Sequence, residues 1–230
     1  MSRASLLRWM IALLFIGGFA AFFVFGGPQW LSLESLKAYR ETLLIYTRDH
    51  YVVMILGFGL VYTASTALSV PGATVLSLAG GLLFGRWIGT LVVVISATLG
   101  ATLVFLGARY LFAQAAQRRL EQSPRARRLL DGFQENAVNY LLFLRLVPLF
   151  PFWLVNLAPA FTGVSTRLFF VATLFGIIPG AFVYVNLGTS LGRIDSLGEL
   201  VSPEVLAGLV LLGLFALLPT LVKRRRSSGS

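Results

Sequence analysis

Apolar and polar positions fall in blocks along this chain, not in a residue-by-residue alternation. Residues 9–26, 51–69, 87–108, 167–190 and 205–222 are apolar runs, and about 20 apolar residues in a helix cross a hydrocarbon core of about 30 Å. Each run predicts a membrane helix. Between 29 and 49 the pattern changes. Leu31, Leu33, Leu36, Tyr39, Leu43 and Tyr46 recur near one helical face, with Glu34, Lys37, Arg40 and Glu41 largely off it. That arrangement predicts one amphipathic helix lying in a membrane interface, or more plainly a solvated connecting helix. Residues 109–137 are polar and predict a surface segment, helical with a break at Pro124. The first run follows Arg3 and Arg8, as a signal peptide would. No small-x-small cleavage pattern stands out after it, and a retained helix is expected.

Two apolar stretches are broken. Residues 70–85, "VPGATVLSLAGGLLFG", hold Pro71, Gly72, Gly80, Gly81 and Gly85, and are too short and too interrupted to cross comfortably. Residues 138–163 carry Arg145, Pro148, Pro151, Pro159 and Gly163. The layout repeats. "VP" at 70–71 matches "VP" at 147–148, and "ATL" at 97–99 matches "ATL" at 172–174, offsets of 77 and 75 residues. The matches are short, and chance alone can produce them; the shared layout favours an internal repeat. Interrupted hydrophobic segments at corresponding places in two halves point to a transporter's binding site. The reason is backbone chemistry: a helix broken in hydrocarbon frees amides and carbonyls at several kcal/mol each, tolerated only where protein or water shields them. The expected fold is therefore all-α and polytopic, with about five transmembrane helices and two facing re-entrant hairpins, about 70–86 and 138–163. It divides into an N-terminal part (1–49), a core (50–190) and a C-terminal helix with a basic tail (191–230). A kink is expected at Pro179–Gly180.

Composition agrees. Of 230 residues, 57% are hydrophobic and 12% charged, with a mean hydropathy of +0.83; globular domains are nearer 25% charged. The net charge of +10 lies outside the apolar runs, which favours topology and anionic headgroups over nucleic acid. Candidate headgroup contacts are Arg109, Arg118, Arg119, Arg125, Arg127 and Arg128 and the tail at 223–226. With five spans, one orientation places 14 Lys/Arg inside and 4 outside. The positive-inside rule selects it and puts 109–137 and the tail in the cytoplasm. It leaves Arg3 and Arg8 outside, against the same rule. The chain has no cysteine and one histidine, His50, at the edge of an apolar run. No metal site, cofactor or enzymatic nucleophile with an evident base is expected.

Arg145 is the candidate for function. Arginine near the bilayer centre costs about 2.5–3.5 kcal/mol on insertion scales, and no acidic residue occurs between Asp49 and Glu121 or close to Arg145 in sequence. Two readings stay open. The side chain snorkels to the interface and meets helix C-terminal carbonyls, or it binds an anion in a wet cavity, where its planar fork suits phosphate. Asn156 and Asn186 could line the same cavity or bond across helices. Arg167 opens a span, as an interfacial anchor or a headgroup contact.

The stretches "VPGATVLSLAGGLLFGRWIG" and "FLRLVPLFPFWLVNLAPAFTGVSTRLFFVATLFGIIPG" together resemble the DedA superfamily, in its SNARE-associated Golgi (VTT-domain) branch, over roughly 50–190. The resemblance implies two facing re-entrant hairpins in an inverted repeat. It implies lipid translocation, of undecaprenyl phosphate or other phospholipids in bacterial relatives and as phospholipid scrambling in eukaryotic ones, with the motif arginine at Arg145; the expectation for this chain is a lipid-phosphate translocase in a bacterial inner membrane. Some members carry acids near the first hairpin for proton coupling; here "TASTALSVPG" is neutral, so a passive scramblase gains weight. The alternatives are an ion or small-anion transporter, or a non-transporting membrane protein whose basic segments recruit partners.

Overall fold

The structure is a computed structural model that describes residues 3–121, 136–147 and 152–190. Pro148, Pro151, Arg125, Arg127, Arg128, the run 205–222 and the tail at 223–226 lie outside the described residues. The described chain is helical, with no strand among the described residues. It packs as two units. One holds the described residues up to Val104 together with Ile178 to 190, and the other holds those from Phe105 to Ile177. Each unit therefore contains one of the two broken segments and one of the two "ATL" matches.

In the first unit, α1 (Arg3–Val24) ends at Gly26 in the left-handed region, φ 71°. Pro28 then sits in the first turn of α2 (Gly27–Trp30), where its missing N–H costs nothing. Ser32 caps α3 (Leu33–Ala38) by accepting from the Ser35 amide at 3.1 Å, and α4 (Arg40–Asp49) follows. The single interfacial helix expected over 29–49 is thus three short helices from Gly27 on. Their apolar face turns into the protein. Leu33 and Leu36 are buried against Val75, Leu78 and Ala79, with Leu43, Phe58 and Tyr184 alongside, whereas Tyr39 and Tyr46 are exposed. Ser32 accounts for the division, because its hydroxyl cap starts a new helix in mid-segment. His50 is exposed and stacks on Tyr46 at 4.6 Å.

Next, α5 (Tyr51–Ala67) closes with two hydrogen bonds, Val70 N–H to Ser65 C=O and Ser69 N–H to Thr66 C=O, both 3.0 Å. This is the six-to-one and five-to-two pattern that satisfies a helix end internally. Ser69 takes the αL position at φ 54°, and Pro71 prevents the helix from continuing. The following helix, α6 (Ala73–Glu121), is two arms joined at Gly85, whose φ 74° and ψ 177° only glycine adopts readily. The chain reverses there. A methyl on Gly80 would lie 2.9 Å from Val93 Cγ2, and one on Gly89 would lie 2.5 Å from the Gly80 carbonyl oxygen. In one straight helix, residues nine to thirteen apart would be about 13–20 Å apart. The expected broken segment at 70–86 is thus a short helical arm ended by a glycine reversal. At 1.5 Å per residue the arm 73–84 is about 18 Å long, well short of a bilayer core.

Two close crossings hold this arm. It runs antiparallel to α5, with Phe84 against Phe58 at 5.3 Å and the Tyr62 hydroxyl bonded to Ser77 at 3.0 Å. It also runs antiparallel to α10 (Ile178–Gly188). A methyl on Gly81 would overlap the Val185 carbonyl, and one on Gly188 would overlap the Leu78 carbonyl. Backbone therefore rests on backbone at both positions. The second arm of α6 lies beside α5, where the Thr63 hydroxyl donates to the Ser96 carbonyl at 3.2 Å.

The second unit adds α7 (Ala137–Leu146), α8 (Phe152–Leu157), a 3₁₀ turn at Ala158–Phe161 and α9 (Thr166–Gly176). Val147 is extended at φ −94°, ψ 107°, as the residue before Pro148 must be. Ser165 caps α9, accepting from Leu168 N–H at 3.2 Å. The break between α9 and α10 falls at Ile177, ahead of the expected kink, so that Pro179 sits in the first turn of α10.

By length and composition, one helical run among the described residues is fit to cross a membrane: Ala73–Phe112, mean hydropathy 2.3. Its reversal at Gly85 leaves the second arm to do so. The pair α9 and α10 passes only if taken together, and Trp9–Val24, Tyr51–Ala67 and Ala137–Leu146 are shorter apolar helices. Leu56, Leu60, Leu91 and Leu103 are 50–72% exposed, a surface that fits lipid and would be an aggregation liability in water.

Gly188→Ala places a methyl on a backbone carbonyl that cannot swing aside. It is expected to destabilise the fold by about 2–3 kcal/mol, whereas Gly57→Ala, which meets nothing within 4 Å, should be neutral. Thermal unfolding in detergent checks the contrast. By the same measurement Ser69→Gly should stabilise the protein by about 1 kcal/mol, because it relieves a side chain in αL.

Candidate anion site around Arg145

Arg145 lies in the last turn of α7, and α9 comes up against it. The approach is set by Gly176, where a methyl would lie 2.8 Å from Arg145 Cβ and 3.3 Å from a Leu142 methyl. The guanidinium is half-buried. Its Nη2 donates to the Thr173 hydroxyl at 3.0 Å, and its Cζ lies 5.2 Å from the Phe169 ring centroid. Nε is buried and has no hydrogen-bond partner. Among the described residues the charge meets a hydroxyl and a ring face, and no carboxylate. A cation–π contact contributes about 0.5–2 kcal/mol, and leaving a buried donor unpaired costs about 1–3 kcal/mol, more when charged. Among the described residues the site is therefore short of an acceptor, which a carbonyl, a water or an anion would each supply.

A second arginine of the unit, Arg109 on α6, is the opposite case. Nε donates to the Ala160 carbonyl at 3.2 Å, and Nη2 donates to those of Thr162 at 2.8 Å and Val164 at 2.6 Å. One of these carbonyls belongs to the 3₁₀ turn and two to the irregular stretch between that turn and α9. Arg109 Cζ also lies 4.3 Å from the Phe105 centroid, and Phe105 stacks on Phe169 at 4.2 Å and 17°, both rings fully buried. The order is Arg109, Phe105, Phe169, Arg145: two guanidinium groups on the outer faces of one stacked ring pair. Sequence reading placed Arg109 with the headgroup-facing arginines. The structure folds it back to clamp a loop, and the sequence signal was only that Arg109 is the first charge after an apolar run.

The remaining predicted residues are distributed unequally. Asn156, on α8 in the same unit as Arg145, is fully buried, and neither its amide oxygen nor its nitrogen has a partner. Arg167 is exposed in the first turn of α9. Asn186 is half-buried on α10, in the other unit. Pro159 is buried in the 3₁₀ turn and Gly163 is exposed after it. Among the described residues no group of His, Asp or Glu is arranged to hold a metal ion.

Comparison with known proteins decides the family. The VTT domain model matches residues 70–190, from the first broken segment to the end of α10. The chain belongs to the VTT-domain family. A transmembrane protein 41 homolog of Dictyostelium discoideum is 31% identical over 84% of this chain and 58% of its own length. An uncharacterized membrane protein of Arabidopsis thaliana is 30% identical over 85% of this chain and 68% of its own. Transmembrane protein 41B of Gallus gallus is 25% identical over 97% of this chain and 88% of its own. This VTT-domain chain thus spans little more than half of the Dictyostelium protein. No solved structure matches the chain. The VTT match contains every residue of the Arg145 site, and the protein is an integral membrane protein, as its relatives' names state of them.

Arg109→Gln removes a charge-assisted clamp on three carbonyls of this VTT domain. It is expected to destabilise the fold by at least about 2 kcal/mol and to raise amide exchange selectively over residues 158–166. Exchange mass spectrometry reads that pattern.

Proposed function

We propose that this VTT-domain protein is a lipid translocase, a flippase or scramblase, for a phosphate-bearing lipid such as undecaprenyl phosphate or a phospholipid. Arg145 holds the phosphate while the lipid tails stay in hydrocarbon. The observation that carries the reading is the unpaired, buried Nε of a guanidinium that meets no carboxylate among the described residues, in an integral membrane protein. A phosphate oxygen would complete it, and Arg's planar fork suits that oxygen pair better than an ammonium does. In this reading the chain crosses a bacterial inner membrane five times, with 70–86 and 138–163 re-entrant. Residues 109–137 and the tail are cytoplasmic and lie near anionic headgroups. Asn156, Asn186 and Arg167 contribute polar contacts. The protein acts as a carrier and not as an enzyme, and needs no cofactor.

Arg145→Ala should abolish movement of a labelled phospholipid between leaflets of reconstituted vesicles, and Arg145→Lys should slow it about 10-fold or more by losing the fork. Radiolabelled inorganic phosphate and chloride flux measured in the same vesicles separates this from the small-anion reading. Lipid movement by Arg145→Ala at the wild-type rate would refute the role of Arg145.

A further inference from the structure

The hydroxyl that meets Arg145 differs from three other helical threonines of the chain. Thr47, Thr90 and Thr102 each donate to the carbonyl four residues back, at 2.6, 2.5 and 2.7 Å, the usual fate of a threonine in an apolar helix. Thr173, 1% exposed in α9, makes no such bond. It accepts from Arg145 Nη2, so its own proton is unspent and has no acceptor among the described residues. Nε and Nη2 share one edge of the guanidinium. That edge therefore presents an unpaired Nε–H, and beside it a Thr173 O–H that Nη2 orients by occupying its lone pair.

The two "ATL" matches supply a second comparison. Ala97-Thr98-Leu99 stands 75 residues before Ala172-Thr173-Leu174. Thr98 is fully buried, and its hydroxyl too has no partner. At offsets of 75 and 77 residues Arg145 corresponds to Val70 and Leu68, both apolar. Each half thus buries a threonine hydroxyl at the matching place, and only the second half adds a cation to it.

We propose that Thr173 is a second ligand of the anion at Arg145: its hydroxyl donates to one phosphoryl oxygen while Arg145 Nε–H donates to another. The inference rests on the phosphate reading of Arg145 and adds the donor that distinguishes a multi-oxygen phosphoryl group from a halide. The phosphoryl group is that of a lipid headgroup or of free phosphate, and Thr98, lacking the cation, is not a ligand.

The test uses the full chain in phosphatidylcholine vesicles containing a trace of acyl-labelled phosphatidylglycerol, with dithionite reporting the outer leaflet. Parallel vesicles report uptake of radiolabelled inorganic phosphate. Thr173→Val, which keeps size and removes the hydroxyl, is expected to slow the labelled lipid about 10-fold. It should also raise the inorganic phosphate concentration needed for half-inhibition by a similar factor. Thr173→Ser should stay within about 2-fold of wild type, and Thr98→Val should match wild type. Flux of inorganic phosphate instead of lipid, lost in Thr173→Val, supports the same ligand with free phosphate as its source. Thr173→Val at the wild-type rate while Arg145→Ala is inactive overturns the role of Thr173 and leaves the phosphate reading standing. Wild-type movement by Arg145→Ala overturns both. Thr173→Ser as slow as Thr173→Val also overturns the proposal, because the hydroxyl is then not what matters. Should Thr173→Val not fold, Thr173→Cys replaces it, and a wild-type rate with that weak donor counts against the proposal.

Discussion

An apolar chain that interrupts its helices has to find partners for every amide and carbonyl the interruption frees, because neither lipid nor a packed interior supplies them. The architecture follows from how three interruptions are satisfied. After α5 the chain satisfies itself, with Val70 and Ser69 amides returning to Ser65 and Thr66 carbonyls. At Gly85 it turns within one residue in a conformation that side chains resist, and each arm keeps its own helical bonds. Between the 3₁₀ turn and α9 no local bond suffices, and a side chain from α6 is brought in: Arg109, on three carbonyls.

That third solution gives meaning to the second arginine. Both guanidinium groups lie on faces of the same buried ring pair, Phe105 on Phe169. The rings cover one face of each charge and fix its plane, but rings accept no hydrogen bonds of ordinary strength. What differs is the edge. Arg109 has carbonyls along its edge and is a closed structural unit. Among the described residues Arg145 has one hydroxyl along its edge, and its Nε is unpaired. Two residues of identical chemistry in one unit are thus divided into a closed clamp and an incompletely bonded guanidinium by the loop that only one of them reaches.

In the first unit, geometry is set by missing side chains. Gly81 against Val185 and Gly188 against Leu78 let two antiparallel helices touch backbone to backbone. Close contact of this kind supplies dispersion where the hydrophobic effect supplies little between helices in lipid. It also fixes the register of the short arm 73–84, on which Leu33 and Leu36 then dock. The single helix expected at 29–49 is three short ones, and Leu33 and Leu36 of the second pack on Val75, Leu78 and Ala79 of this arm.

Much of this was legible in the amino-acid order alone. The apolar runs, the break near Gly85, the extended residue before Pro148 and the scarcity of acids in the sequence around Arg145 are all local properties of composition or of glycine and proline. They follow from composition itself and from the few backbone states those residues allow. The partners were not legible. Gly188 is one glycine among 23 until Leu78 is seen against it. Arg109 reads as a surface charge until the 160–164 carbonyls arrive, and Thr173 reads as an ordinary helical threonine until Arg145 takes its lone pair. Such roles depend on contacts between residues tens of positions apart. Only the packed chain decides which donor meets which acceptor, and which donor is left without one.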